Sequence, residues 1–502
     1  MTTKNKMFGY KDLADVKKAI SKDPEIRYLR FMTADMHGER PCEFTVPVTE
    51  LGAKLLEDGS ILMDERVSDG GFEKGFDASS LFPERINESD KNARFDFTTA
   101  RVLPWSYHTK MPGYDRAWKE MVVFGDVIDP KNGPYKFDSR SILKRVIERV
   151  KEDGMADTIY LGPELEFFLF KADGNGDPLT EEFKKDDTNY LRPVITDHGR
   201  YFKGGRHGEV RKEAQMAMME MGFKLEYDHH EVSPGQHESD VHYMDAMKMA
   251  DYVMLFRYVV KRVAQTHGLF ASFMPKPIAG INGSGMHTHQ SLFKEGKNIF
   301  FDPTDKNGMS IQCKQYLAGL MKYLPEITAV LNPWVNSFKR LVPGYEAPTY
   351  ICWDVQNRSS LIRIPGYDLK NPNGVRIELR NPDPACNPYL CFALQIAAGM
   401  RGIEEELKPP SGQDINVFHT SEEERSKRGI KRLPPDLGAA LDLMEKSKLA
   451  KDVMGEEFLA RYVEAKRAHV KAYTDSLGHR ADDWSMKVQI SRFEIETLLP
   501  IL

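Results

Sequence analysis

Apolar and polar residues alternate through Arg27-Tyr-Leu-Arg-Phe-Met and again through Cys42-Glu-Phe-Thr-Val-Pro, with turn residues around Asp35-Met-His-Gly38 between them. A period of two broken by a turn predicts a β-hairpin over residues 27–49. Val102-Leu-Pro-Trp and Glu120-Met-Val-Val-Phe-Gly-Asp-Val read as further strands, and Pro130-Lys-Asn-Gly-Pro134 as a turn cluster. The period then lengthens. Asp138-Ser139 caps a predicted helix that carries Ile142, Val146 and Val150 on one side and stops at Gly154. Met249, Val253, Phe256, Val260 and Val263 recur at helical spacing between Asp245 and Gly268, which predicts a helix over 245–267 whose stripe is core. Another is predicted from Ile311 to Val330, capped by Ser310. Residues 404–437 are rich in charge and proline and read as a solvated surface excursion, after which helical patterns return over 437–475. These patterns predict an α+β fold in two parts: a small strand-rich domain over 1–135 and a large mixed domain over 136–502.

Length and composition narrow the class. The 502 residues are 41% hydrophobic and 29% charged, as in a soluble globular chain with a large core. A net charge of -5 without a basic stripe argues against a nucleic-acid partner. The five scattered cysteines form no Cys-x-x-Cys pair, which fits a reducing compartment. No signal core follows Met1, and no apolar run approaches the roughly 20 residues that cross a bilayer. A cytoplasmic protein without a membrane partner is expected.

Four short stretches change the picture. They are Gly162-Pro-Glu164-Leu-Glu166-Phe, His229-His-Glu231-Val-Ser-Pro-Gly-Gln-His-Glu238, Gly285-Met-His287-Thr-His289-Gln-Ser291 and Arg376-Ile-Glu378-Leu-Arg380. In a strand, residues i and i+2 share a face. Glu164 with Glu166, His287 with His289 and Ser291, and Arg376 with Glu378 and Arg380 are therefore co-facial. Paired carboxylates suit hard, oxygen-seeking cations. The Pro-Gly turn between Glu231 and Glu238 can fold both acids onto one ion, whereas His229 and His230 read more readily as hydrogen-bonded or core residues. Gly280-Ile-Asn-Gly-Ser-Gly lets backbone amides approach an anion, and guanidinium groups such as Arg358, Arg363 and Arg380 grip carboxylate or phosphate oxygens in pairs. Carboxylates gathered with arginines in this way point to a metal–nucleotide enzyme. Asp173-Gly-Asn-Gly-Asp177 imitates a calcium loop but lacks its sixth-position glycine and twelfth-position glutamate, and reads as a turn.

In this order the segments resemble glutamine synthetase of the bacterial and archaeal type I group. The likeness also takes in Phe76-Asp-Ala-Ser-Ser80, Ile86-Asn-Glu-Ser-Asp90, Phe273-Met-Pro-Lys-Pro-Ile, Asn336-Ser-Phe-Lys-Arg-Leu-Val-Pro-Gly-Tyr-Glu-Ala-Pro348, Asn357-Arg-Ser and Pro382-Asp-Pro-Ala-Cys-Asn-Pro-Tyr. It implies a β-grasp-like N-terminal domain and a catalytic domain whose antiparallel strands form a funnel. It implies ATP-dependent ligation of ammonium to the γ-carboxylate of L-glutamate, with two or more Mg2+ or Mn2+ ions per site. On this likeness Glu166, Glu231 and Glu238 bind one cation, and Glu164, His287 and Glu378 another. Glu226, His289, Ser291, Arg358 and Arg363 match ATP positions, and Arg358 also matches a catalytic position, as Asp77 and Glu346 do. Asn282, Gly283, Arg340, Glu346 and Arg380 match glutamate positions. Asp77, reaching in from a neighbouring subunit, matches the acid that binds ammonium and takes its proton, and Glu346 the shield of the intermediate. A dodecamer of two stacked six-membered rings is implied.

The departures bear on specificity. Ala78 replaces a family glycine, and 64–75 looks longer than in the family, both beside the expected ammonium site. Asn373 replaces a lysine of some relatives, and Phe418 aligns with a tyrosine that some members adenylylate, so that control is expected to be absent. Extra segments stand near 178–200 and 473–485. Two other readings stay open: a ligase of the same fold acting on methylamine, ethanolamine or a polyamine, and an inactive scaffold relative.

Overall fold

The protein is seen as a computed structural model that describes residues 10–38, 41–56, 60–63, 72–79, 90–109, 116–185, 188–198, 207–368, 370–480 and 484–502. Most of the Ile86–Asp90 motif and of the 64–75 segment, with parts of those near 178–200 and 473–485, lie outside these residues.

The predicted hairpin forms. Ile26–Ala34 pairs antiparallel with Pro41–Pro47, from Tyr28 opposite Pro47 to Ala34 opposite Pro41. Ile26–Ala34 also runs parallel to the long strand Ala117–Asp129, which continues through Asp90–Phe95 to the edge strand Glu73–Asp77. Of Val102-Leu-Pro-Trp only Arg101–Val102 is strand, because the following proline lacks an amide for the ladder. The apolar face of this sheet closes over the helix Leu13–Lys22.

The strands from Thr158 onward build a second sheet. Leu225–His230, Gln236–Val241, Thr158–Lys171, Met286–Lys294, Ile377–Leu379, Ile362–Ile364 and Trp353–Val355 lie side by side in that order. All neighbours are antiparallel except the last pair. Helices Ser139–Glu152, Ala246–Thr266, Ile311–Leu331 and Pro388–Glu404 pack behind it in one continuous core. Their ends follow the sequence signals. Asp138, Asp245 and Ser310 each accept a first-turn amide, and Gly268 takes a left-handed φ of 66° just past its helix. The architecture is α+β.

The two sheets are joined by a buried guanidinium. Arg140 bonds Asp126 in the first sheet, Asp96 just past that sheet's strand Asp90–Phe95, and Asp251 from the helix behind the second, at 2.6, 2.9 and 3.1 Å. The charged stretch 404–437 is less solvated than expected. Its helix Glu422–Lys427 buries nothing, yet Val417 is fully buried, and the Asn357 side-chain amide donates to the carbonyls of Gln413 and Ile415. Asp173 Oδ1 accepts the amides of Asn175 and Asp177, as a turn requires.

Candidate active site

The register of the central strand Thr158–Lys171 assembles the site. Glu164 lies opposite His287 on one side and Asp240 on the other, and Glu166 lies opposite Glu238. One strand further out, Glu238 faces His229; on the other flank His289 faces Glu378, which faces Arg363. Side chains opposite one another share a face, so one surface of the sheet carries all these groups while Leu165, Phe167, Met286 and Leu292 point into the core.

This face floors a cavity of about 200 Å³. Its lining includes Glu164, Glu166, Glu231, Glu238, His287, Asn282, Gly283, Arg340, Glu346, Arg358, Arg363 and Arg380. The structure thus brings together most of the residues singled out in the sequence. Glu378 is fully buried just behind the wall, where Arg363 and Arg380 each bond it at 2.6 Å. His289 also stands behind: its Nε2 meets Glu164 Oε1 at 2.8 Å while Arg376 donates to its Nδ1. Ser291 continues the His287–His289 face one pleat further along. Glu226 is exposed, with its carboxylate 3.8 Å from His242, in the stretch where the strand register shifts between Leu225 and Asp228. Asp77 is exposed on the edge strand Glu73–Asp77 and is not part of this cavity's lining.

Among the described residues four sets of ligand-type atoms lie within 4.8 Å of one another, and two of them are Glu164 with His287 and Glu378, and Glu231 with Glu238 and His229. Their electrostatics differ. Burial opposes ionisation of Glu378, but Arg380 and His289 prevail and hold it below the usual carboxylate range. Burial likewise opposes Glu164, yet hydrogen bonds from His287 and His289 hold it well below that range. Glu238 is pushed well above it by burial and then by Glu164, Glu166, Asp240 and Glu231. Glu166 is raised by burial and Glu231 despite Arg340. Asp240 rises to about 7 through burial and Glu164. Carboxyl oxygens left short of positive charge, with imidazoles beside them, are a donor set that fits hard divalent cations.

Arg340 presents a rigid charge. Its guanidinium is buried and donates to the carbonyls of Asn381, Pro382 and Arg380. Gly285 is required by this packing, since a Cβ there would sit 2.5 Å from Arg340 Nη2 and 3.1 Å from both Glu166 Oε1 and His287 Nε2.

Some of the site lay outside the sequence reading. His229, expected to be a hydrogen-bonded or core residue, is buried and also stands 3.6 Å from Glu231 and 3.5 Å from Glu238, while His230, expected to be the same, meets Asp197 at 3.0 Å. Gln236 and Asp240, each two residues from Glu238, were missed. Gln236 donates to Glu166 at 2.7 Å, and Asp240 lies in reach of both Glu164 and Glu238. The alternation that paired Glu164 with Glu166 would have found both. A third polar cluster, Asp197, His230 and His237, has the Arg211 guanidinium against His237, which disfavours a cation there.

Residues 136–487 match the family model described as glutamine synthetase, catalytic domain. The chain is 47% identical to a glutamine synthetase of Methanosarcina mazei over 80% of this chain and 86% of that protein. It is 41% identical to one of Thermus thermophilus over 90% and 94%. In three dimensions it resembles a Plasmodium falciparum glutamine synthetase with a TM-score of 0.75 at 22% identity, covering 97% and 99% of the two chains. It also resembles a GmaS/ADP complex with a TM-score of 0.72 at 26% identity, covering 95% and 98%.

Proposed function

The chain belongs to the glutamine synthetase family, and on that premise we propose that the cavity floored by Glu164 and Glu166 is its active site. The reaction is the ATP-dependent joining of ammonia to the γ-carboxylate of L-glutamate, which makes the chain a ligase of glutamine biosynthesis and nitrogen assimilation. The observation that carries our assignment is the convergence of acids, imidazoles and guanidiniums from distant segments on one face of one sheet.

In this reading Glu166, Glu231 and Glu238 hold one divalent cation, with Glu164, His287 and Glu378 holding a second. Bound there, Mg2+ or Mn2+ supplies positive charge against the triphosphate of ATP. Glu226, His289, Ser291, Arg358 and Arg363 contact the nucleotide. Asn282, Gly283, Arg340, Glu346 and Arg380 position glutamate. A γ-carboxylate oxygen of glutamate attacks the γ-phosphorus, the P–O bond to ADP breaks, and γ-glutamyl phosphate forms. Ammonia then attacks the acyl carbon and phosphate leaves. Asp77 and Glu346 attract ammonium by charge and accept its proton. Arg340, fixed by three carbonyls, needs little reorganisation as charge develops. Water must be kept from the acyl phosphate, a task for the loop that carries Glu346.

Asp77 lies on an exposed sheet edge, which supports its acting on a neighbouring subunit's cavity in a homo-oligomer, read as a dodecamer of two six-membered rings. The domain division near residue 135 is supported by the grouping of strands through Pro134 in the first sheet and of those from Thr158 in the second. Cytoplasmic placement is supported by four buried free cysteines and by the lack, among the described residues, of any helix long and apolar enough to cross a membrane.

The test is to incubate the purified protein with Mg-ATP and glutamate and supply ammonium, methylamine, ethanolamine and a polyamine in turn. Ammonium should drive phosphate release best and yield glutamine. Faster release with an alkylamine, or none with any amine, would overturn the reading.

A further inference from the structure

Lys276 comes from Phe273-Met-Pro-Lys-Pro-Ile, and no role has so far fallen to it. Its backbone is locked: the amide donates to Asn336 Oδ1 at 2.7 Å, and the carbonyl accepts from Asn336 Nδ2 at 2.9 Å. Asn336 is itself anchored at 2.8 Å to Glu494 in the C-terminal helix Arg492–Thr497. From this fixed base the side chain runs inward, 1% exposed. Its stem passes Gly283, where a Cβ would lie 3.2 Å from Lys276 Cδ. The ammonium then reaches two different loops. It donates to the carbonyl of Ile281 in the glycine loop and stands 3.8 Å from the ring centroid of Tyr345. Tyr345 precedes Glu346, which takes a left-handed φ of 58° and accepts a bond of 3.0 Å from Asn282.

Two bridges therefore span the same pair of loops, one on the cavity side through Asn282 and Glu346, one behind it through Lys276 and Tyr345. Burial and then the nearby Arg340 lower the Lys276 ammonium to about 8, so it remains largely charged at neutral pH. A lysine needed only to fill space would be better replaced by an apolar side chain, because a buried ammonium must be compensated. Here the compensation comes from a carbonyl dipole and a ring face, one on each loop.

We propose that Lys276 is a positioning residue that ties the glycine loop to the loop carrying Glu346 and holds both over the cavity. This rests on the reaction assigned above, because its consequence concerns the acyl phosphate. If the loops part, water attacks γ-glutamyl phosphate, the bond to phosphate breaks, and glutamate and inorganic phosphate are released at the expense of one ATP.

Two measurements on the full-length protein decide it. The first is hydrogen–deuterium exchange over 280–285 and 342–348, which needs no turnover. Lys276→Met keeps the stem against Gly283 but removes the charge, and exchange in both loops should rise at least about fivefold. Unchanged exchange would overturn the tie whatever the reaction proves to be. The second is the ratio of phosphate released to glutamine formed, which should be near one in the native enzyme and rise at least about threefold in Lys276→Met and Tyr345→Leu. Tyr345→Phe keeps the ring face and should keep the ratio near the native value. An equal rise in Tyr345→Phe, or none in Lys276→Met and Tyr345→Leu, would overturn the shielding role. Should Lys276→Met fail to fold, Tyr345→Leu against Tyr345→Phe decides both points. A native enzyme that forms no glutamine would instead sink the assigned reaction and leave the exchange result to judge the tie.

Discussion

Glu238 and Glu378 lie on one face of one sheet in opposite electrostatic circumstances. Glu378 is gripped by Arg363 and Arg380, whereas Glu238 has carboxylates around it and His229 3.5 Å away. Removing the charge at Glu238 should therefore help the fold and harm the reaction. Glu238→Gln is expected to melt higher than the native protein without metal and to lose about 100-fold in Mg-ATP-dependent glutamine formation, the scale of a lost metal contact. Retained activity would remove Glu238 from the cation site. A second prediction concerns acid. His469 packs edge-on against Trp334 with ring centroids 4.8 Å apart, and burial followed by Lys466 lowers it to about 3. Unfolded, it takes a proton near pH 6.5; folded, it stays neutral, so its contribution is present above pH 6.5 and is lost as pH falls toward 3. Urea unfolding at pH 7 and pH 5 should show the native protein losing about 2 kcal/mol more than His469→Phe. Equal losses would contradict the assignment. At this scale side-chain types were legible and their surroundings were not. Two-residue spacing put Glu164 with Glu166, but nothing in the sequence around Glu238 says which acids meet an arginine.

Among elements, the hairpin at 27–49 and the helices Ala246–Thr266 and Ile311–Leu331 were legible because local periodicity and caps set them, whereas the helices Leu13–Lys22, Gly208–Glu220 and Pro388–Glu404 were not foretold. Register between distant strands is not local. That Glu164 faces His287 across 123 positions of sequence follows from strand pairing, and the register shift between Leu225 and Asp228 could not be read from its neighbours. His229 is a further case. Its place beside Glu238 depends on a strand pairing, not on the residues next to it. Gly285 offers a test of how closely the strands and loops are fitted. Gly285→Ala would push against Arg340 and Glu166 without changing any charge. The expected result is a folded protein whose KM for glutamate rises about tenfold, the cost of displacing a positioned group by a fraction of an ångström. A KM unchanged from the native enzyme would show that Arg340 does not hold glutamate.

In the whole molecule, Asp77 is not among the described residues that line the cavity of one chain, so its proposed role requires subunits to complete one another. Asp77→Asn and Glu238→Gln should each be inactive as pure assemblies. Mixed subunits co-assembled in equal amounts should recover about one quarter of native activity, since a site works only when its own chain keeps Glu238 and its neighbour keeps Asp77. No recovery in mixtures that demonstrably co-assemble would place Asp77 outside the chemistry. The more basic claim is that the sheet face holds cations at all. Crystals grown with Mn2+ and ADP, measured for anomalous scattering near the manganese edge, address it without reference to rate. One peak is expected among Glu166, Glu231 and Glu238 and a second among Glu164, His287 and Glu378 in every subunit. An ordered, nucleotide-bound cavity with no manganese peak against these side chains would contradict it.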